Sequence, residues 1–119
     1  MKIEVEIIDN PLDMRYSTSG DFFYDGDILV FQILRQKTNF NTKMTLLHEL
    51  AEQILCEEMG IKNEDIDKFD MEWNNPKYQE PGDDPKAPYY EPHLIAKACE
   101  YLMLGCLGRS FKEYFKSLI

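Results

Sequence analysis

An α+β domain is the fold class that the sequence predicts, and three observations predict it. The first third of the chain alternates apolar and polar residues around glycine-containing turns, the middle carries one long helical period, and the last third carries two more. A single domain, residues 1–119, holds all of them, because a chain of 119 residues builds one hydrophobic core and is short for two. The expected architecture is a small N-terminal antiparallel sheet packed on helices.

Residues 2–8, KIEVEII, place Ile3, Val5 and Ile7 at every second position, which is the period of a half-buried strand, and Pro11 ends the run. Residues 16–24 and 28–34 are two further β-rich runs, joined by the turn Asp25-Gly26-Asp27. In MTLLHELAEQILCEEMG, Met44, Leu47, Leu50, Ala51, Ile54 and Leu55 recur at three- and four-residue steps, with Asn41 or Thr42 as cap and Gly60 as stop. Asn63 or Glu64 opens a short helical turn that ends near Phe69. Residues 74–88, with Pro76, Pro81, Gly82, Pro85 and Pro88, form a loop longer than packing requires. Pro92 suits the first turn of the next helix, and Leu94, Ile95, Ala98, Cys99, Leu102, Met103 and Cys106 predict a broad core-facing stripe ending near Gly105 or Gly108. In residues 111–118, Phe111, Tyr114, Phe115 and Leu118 predict a short helix that caps the core.

The formal net charge is −9, from 22 acidic and 13 basic residues with no basic run, which argues against nucleic acid and anionic membrane surfaces as partners. Carboxylates gathered around a bound cation account for part of such an excess. No apolar stretch approaches the ~20 residues of a membrane-spanning helix. The three cysteines, Cys56, Cys99 and Cys106, are odd in number and lack paired spacing, and MKIEVEIIDN lacks the basic and apolar regions of a secretory signal. A reducing cytoplasm is the expected location, and Cys99 and Cys106 read as small hydrophobes.

His48 and Glu52 stand four residues apart, so on a helix both leave one face a turn apart and can point at one ion. Glu49 follows His48, where a carboxylate sits beside that ion as a general base for water without binding the metal. This is the logic of the H-E-x-x-H helix, with glutamate in place of the second histidine. The other histidine, His93, opens the second long helix, and as a third ligand it completes the set of an open catalytic zinc site, one ion per chain. Glu100, two turns after His93, is a further ligand or an acceptor for an imidazole N–H. Tyr89 and Tyr90, close to His93, are candidates for a hydroxyl that steadies a developing oxyanion. Asp83 and Asp84 in EPGDDP read as a solvated turn, with contact to the site or to a second cation as the alternative, and Trp73 with Phe22, Phe23 and Tyr24 as core-closing aromatics, with the lining of a groove as the alternative.

The order GDFFYDGDILVFQI, MTLLHELAEQILCEEMGI, IDKFD and EPGDDPKAPYYEPHLIAKACEY resembles a family of small proteins of bacteria and their phages, related in pattern to zincin-like metallopeptidases. The resemblance runs from about Gly20 to about Gly108. It implies a zincin-like fold with a strand beside the active helix, zinc held by His48, Glu52 and His93, Glu49 as catalytic base, and a peptide or protein substrate. It also implies that residues 28–34 are the strand along which an extended peptide lies. Glu52 departs from the peptidase pattern, and a charged oxygen ligand makes the ion less electrophilic.

Two other readings compete. Glu49-x-x-Glu52 followed by Glu64-x-x-Asp67 resembles the paired acidic motifs of all-α nucleoside triphosphate pyrophosphatases, which hold magnesium against phosphates, so a magnesium-dependent nucleotide pyrophosphohydrolase is the alternative enzyme. A non-catalytic phage or prophage accessory protein on a zincin scaffold is the third.

Overall fold

The computed structural model describes all 119 residues. Strand β1 covers Lys2–Ile8, β2 Gly20–Asp25 and β3 Ile28–Leu34; helix α1 covers Asn39–Glu58, α2 Asn63–Glu72, α3 Tyr90–Leu107 and α4 Phe111–Ser117. Short 3-10 turns occupy Pro11–Asp13 and Pro81–Asp83. The class is α+β, with the sheet at the N-terminal end.

The sheet is mixed, not antiparallel throughout. Its order is β1-β3-β2: the β2–β3 hairpin is antiparallel, and β1 lies on the far side of β3 in parallel register, Lys2 opposite Ile28 through Ile8 opposite Leu34. The reason is the connection between β1 and β2, which is long enough to cross the ~10 Å over the end of β3 and place β1 beyond it. A hairpin at Gly26, whose φ of 62° suits glycine, then returns the chain along β3.

β3 is the buried centre, with Phe31 1% and Ile33 0% exposed. Leu29 and Phe31 form the main core with Phe22, Cys56 of α1 and Ile66 of α2. A smaller core joins Met44 of α1, Leu104 of α3 and Tyr114 of α4. Ile3, Val5 and Ile7 face the same side as Leu29, Phe31 and Ile33, their cross-strand partners, yet stay exposed because no helix reaches out to cover the edge strand.

Helix ends follow local chemistry. α1 begins earlier than the expected Asn41 or Thr42, because the Thr38 side chain accepts from the Asn41 backbone N–H at 3.1 Å and caps the helix. Asn41 and Thr42 instead tie α1 to its surroundings: Asn41 donates to Ser117, and the Thr42 hydroxyl accepts from the Gln36 N–H. Gly108, at φ 66°, closes α3.

The two long helices reverse the expected burial. Leu50 and Ile54 of α1, and Leu94, Ile95, Leu102 and Met103 of α3, are exposed. Buried in their place are Glu49, Glu52 and Gln53 of α1, and His93, Ala96 and Glu100 of α3. Cys106 is exposed and Cys99 half-buried, so neither is the core residue expected. In α4, Tyr114 is buried, whereas Phe111 is 41% exposed and stacks edge-on against Tyr101. No helix is long and apolar enough to cross a membrane.

Candidate metal centre

α1 rests on β2 and β3 and packs along α3. The contacts run in opposite order along the two helices: Met44 clusters with Leu104, His48 meets Glu100, and Glu52 meets His93. The helices are therefore antiparallel, and their shared seam carries the polar residues.

Three ligand atoms converge there. Glu52 Oε2 lies 2.6 Å from His48 Nε2 and 2.6 Å from His93 Nδ1, and the two nitrogens are 3.1 Å apart. Tetrahedral bonds of about 2.0–2.1 Å separate ligand atoms by roughly 3.3 Å, so a small expansion seats an ion among the three. His48, Glu52 and His93 thus form a buried group able to hold a metal ion.

The outward nitrogens are fixed by carboxylates. His48 Nδ1 donates to Glu100 Oε1, and Glu100 Oε2 accepts from the Tyr114 hydroxyl at 2.7 Å. His93 Nε2 donates towards Asp83 Oδ1 at 3.1 Å and Glu80 Oε1 at 2.8 Å, and Lys97 Nζ donates to Asp83 Oδ1 at 2.7 Å. With the outward N–H groups held in this way, it is the inward nitrogens that would give up their protons and offer lone pairs to an ion, the usual support of a metal-ligating imidazole. Glu100 lies on the side of the His48 ring away from Glu52, as an acceptor. Glu80, Asp83 and His93 form a second cluster of metal-ligating types, in which Lys97 already neutralises Asp83.

The electrostatics follow from crowded carboxylates in a partly closed seam. Burial pulls the imidazoles down, but Glu52 and Glu100 hold His48 up at about 10, and Asp83, Glu52 and Glu80 hold His93 up at about 12. Burial pushes Glu52 up, and the two imidazoles outweigh it and hold the carboxyl down at about 2. Glu49 is pushed well above the usual carboxylate range by burial and by the Glu52 charge. The same field that retains protons favours a divalent cation, and a metal bound here would release protons.

Glu49 and His93 are held by close backbone. A Cβ on Gly20 would collide with the Glu49 carboxylate, and one on Gly82 would sit 2.5 Å from His93 Cγ. Glu49 makes no side-chain hydrogen bond within the protein and lines a cleft of about 740 Å³ together with His48, Glu52 and His93.

The remaining candidates divide. Tyr89 is in the cleft, its ring edge-on to His93 at 6.0 Å, but its hydroxyl donates to Asp70 Oδ1 at 2.7 Å. Tyr90 lies outside the cleft, in a second pocket with Leu94 and Tyr101 that shares Gly82, His93 and Lys97 with the cleft. Trp73 and Phe22 line the cleft. Of the two readings of Asp83 and Asp84, contact with the site holds and the solvated turn does not: Asp83 meets His93, and Asp84, 5% exposed, accepts from Trp73 Nε1 and from the Lys86 N–H, which shapes the loop that delivers Asp83. Glu80, Gly82, Lys97, Asp70, Tyr16 and Tyr114 carry no sequence motif and come into view only through contacts. Long loop 74–88 was the one signal pointing towards Glu80 and Gly82.

Two expectations fail on geometry. β3 is paired on both sides along its length, so residues 28–34 offer no free edge to a peptide, and the cleft-lining strand is β2 at Gly20, Asp21 and Phe22. The four carboxylates of a magnesium site do not assemble: Glu64 is exposed, and Asp67 accepts from Arg15, which also clamps Asp21. Compared with protein-family models, with curated proteins and with solved structures, the chain finds no match in any of the three.

Proposed function

We propose that the chain is a zincin-like zinc hydrolase of peptide bonds, with His48, Glu52 and His93 as ligands of one ion and Glu49 as general base. The observation that carries this reading is the meeting of two imidazole nitrogens and one carboxylate oxygen within 3.1 Å, with His93 brought 41 and 45 positions along the chain to Glu52 and His48, and each imidazole backed by a carboxylate. Two neutral nitrogens and a carboxylate suit zinc, whereas an oxygen-only set suits magnesium. A zinc ion in such a place polarises a carbonyl and eases the ionisation of water.

The chain supplies the rest. Glu49 faces the cleft with no internal partner, and its raised affinity for a proton suits a group that takes one and passes it to a leaving amine. Tyr89 sits beside His93 with its hydroxyl anchored on Asp70, so it shapes the cleft and positions His93. The cleft is open enough for an extended peptide, and the three free cysteines fit a reducing cytoplasm.

Elemental analysis of protein purified without added metal tests the proposal: about one zinc per chain is expected, and His93→Ala loses it. Glu49→Gln retains the zinc and abolishes cleavage of a fluorogenic peptide library. Magnesium, or no metal even after zinc is supplied, refutes the ligand assignment; zinc without cleavage by the unmodified protein refutes the hydrolase and leaves a metal-holding binding module.

A further inference from the structure

Asp70 carries a charge that the fold does not neutralise. It stands in the last turn of α2, where the helix dipole disfavours an anion, and that turn holds no basic residue. Each carboxylate oxygen accepts from one hydroxyl: Oδ2 from Tyr16 at 3.1 Å and Oδ1 from Tyr89 at 2.7 Å. A carboxylate has about four acceptor sites, so both oxygens keep a lone pair for a further donor. The charged groups that act on it, Glu52 and Asp67, are both acidic.

The other carboxyls of the cleft have partners or a task. Asp21 and Asp67 hold Arg15, while Glu52, Glu80 and Glu100 meet the imidazoles. Glu49 stands beside the metal-holding group as the proposed base. Asp70 receives only neutral hydroxyls. Burial holds its carboxyl up at about 6, so at neutral pH the folded chain bears an ionised group whose burial costs it stability. A fold shaped for stability alone places a neutral side chain there, and a retained charge of this kind marks a place where a ligand is met.

We propose that Asp70 is the floor of a subsite that takes the ammonium or guanidinium group of a Lys or Arg side chain in the peptide bound along the cleft, a reading that rests on the hydrolase proposed above. Tyr89 sets the reach. Its ring stands edge-on to His93 at 6.0 Å and its hydroxyl ends on Asp70, so one tyrosine side chain separates the carboxyl from the metal-holding group. The long stem of lysine or arginine spans such a gap from a residue beside the scissile bond, whereas an α-amine at that bond falls short. Tyr16, Met71 and Trp73 line the same cleft and offer apolar and aromatic surface to the stem and its charge. Charge agrees: seven acidic residues and one lysine line the cleft, so a cationic peptide is drawn in and an anionic one is repelled.

Quenched peptides offered to the full chain with zinc supplied test it. The set moves one lysine, or its uncharged analogue norleucine, along an otherwise neutral sequence. At one position relative to the cut, lysine is expected to raise kcat/KM about 10–100-fold over norleucine, as a hydrogen bond to a charged group does. Asp70→Asn keeps the shape and both hydroxyl partners, and is expected to bring that ratio close to unity. A purely structural Asp70 would slow both peptides alike and leave the ratio intact. Equal rates for the two peptides with the unmodified chain, or a lysine preference that survives Asp70→Asn, overturns the proposal. If no peptide is cut, the hydrolase reading falls and binding decides the subsite. Fluorescence anisotropy with the same peptides, labelled, is then expected to show the lysine preference in affinity, and equal affinities overturn it.

Discussion

On its sheet side α1 contributes Cys56 and Leu46 to an apolar cluster with Phe22, Leu29 and Phe31; on its α3 side it buries His48 and Glu52 against His93 and Glu100. The first contact gains from removing apolar surface from water. The second takes charges out of water and recovers the loss only by mutual pairing. One helix therefore carries apolar packing on one face and the candidate metal-holding group on the other. Substitutions on the two faces separate the roles.

The largest effect is expected on the sheet side. Phe31→Ala empties a fully buried ring site and should cost about 3–5 kcal/mol, read from the denaturant midpoint of the metal-free protein. A loss below about 1 kcal/mol would mean that the sheet does not carry the fold. On the other side, Glu100→Gln removes the carboxylate that orients His48 and, on the proposed ligand set, should weaken metal binding about 10–100-fold in a chelator competition, moving the metal-free midpoint far less than Phe31→Ala does. Equal affinity in variant and parent would assign Glu100 to packing with Tyr114 alone.

The smallest effect sharpens the contrast. Burial pushes Asp70, which accepts from Tyr16 and Tyr89 at the cleft wall, from 3.8 up to about 6. Between these values the unfolded chain has released a proton that the folded chain keeps, so stability falls as pH rises and the penalty is complete above pH 6. Asp70→Asn should therefore gain about 1 kcal/mol at neutral pH, discounted for partial solvation, and nothing below about pH 4. A gain independent of pH would trace to something other than this carboxyl.

Much of the layout was legible in the sequence. Alternation at Ile3, Val5 and Ile7 marks β1, Gly26 its neighbouring hairpin, and the period from Met44 to Leu55 marks α1, because local patterns fix local structure. The His48–Glu52 spacing makes a shared direction inevitable on a helix. The partners of β1 were not legible, since pairing across a long connection leaves no mark within the strand. Nor was the burial of the helices: periodicity locates an apolar stripe but not which neighbour takes it, and here the seam takes the polar stripe. Asp83 and Gly82 looked like ordinary turn residues because their work depends on His93, ten and eleven positions away.

His48 and His93 are 45 residues apart, with all of α2 and the proline-rich loop between them. An ion held by both fastens that whole stretch into a closed ring, and the chain-entropy account of covalent links of this span gives about 4 kcal/mol. Metal depletion should therefore loosen the middle of the molecule as a unit, turning cation supply into a control on how long the protein survives proteolysis.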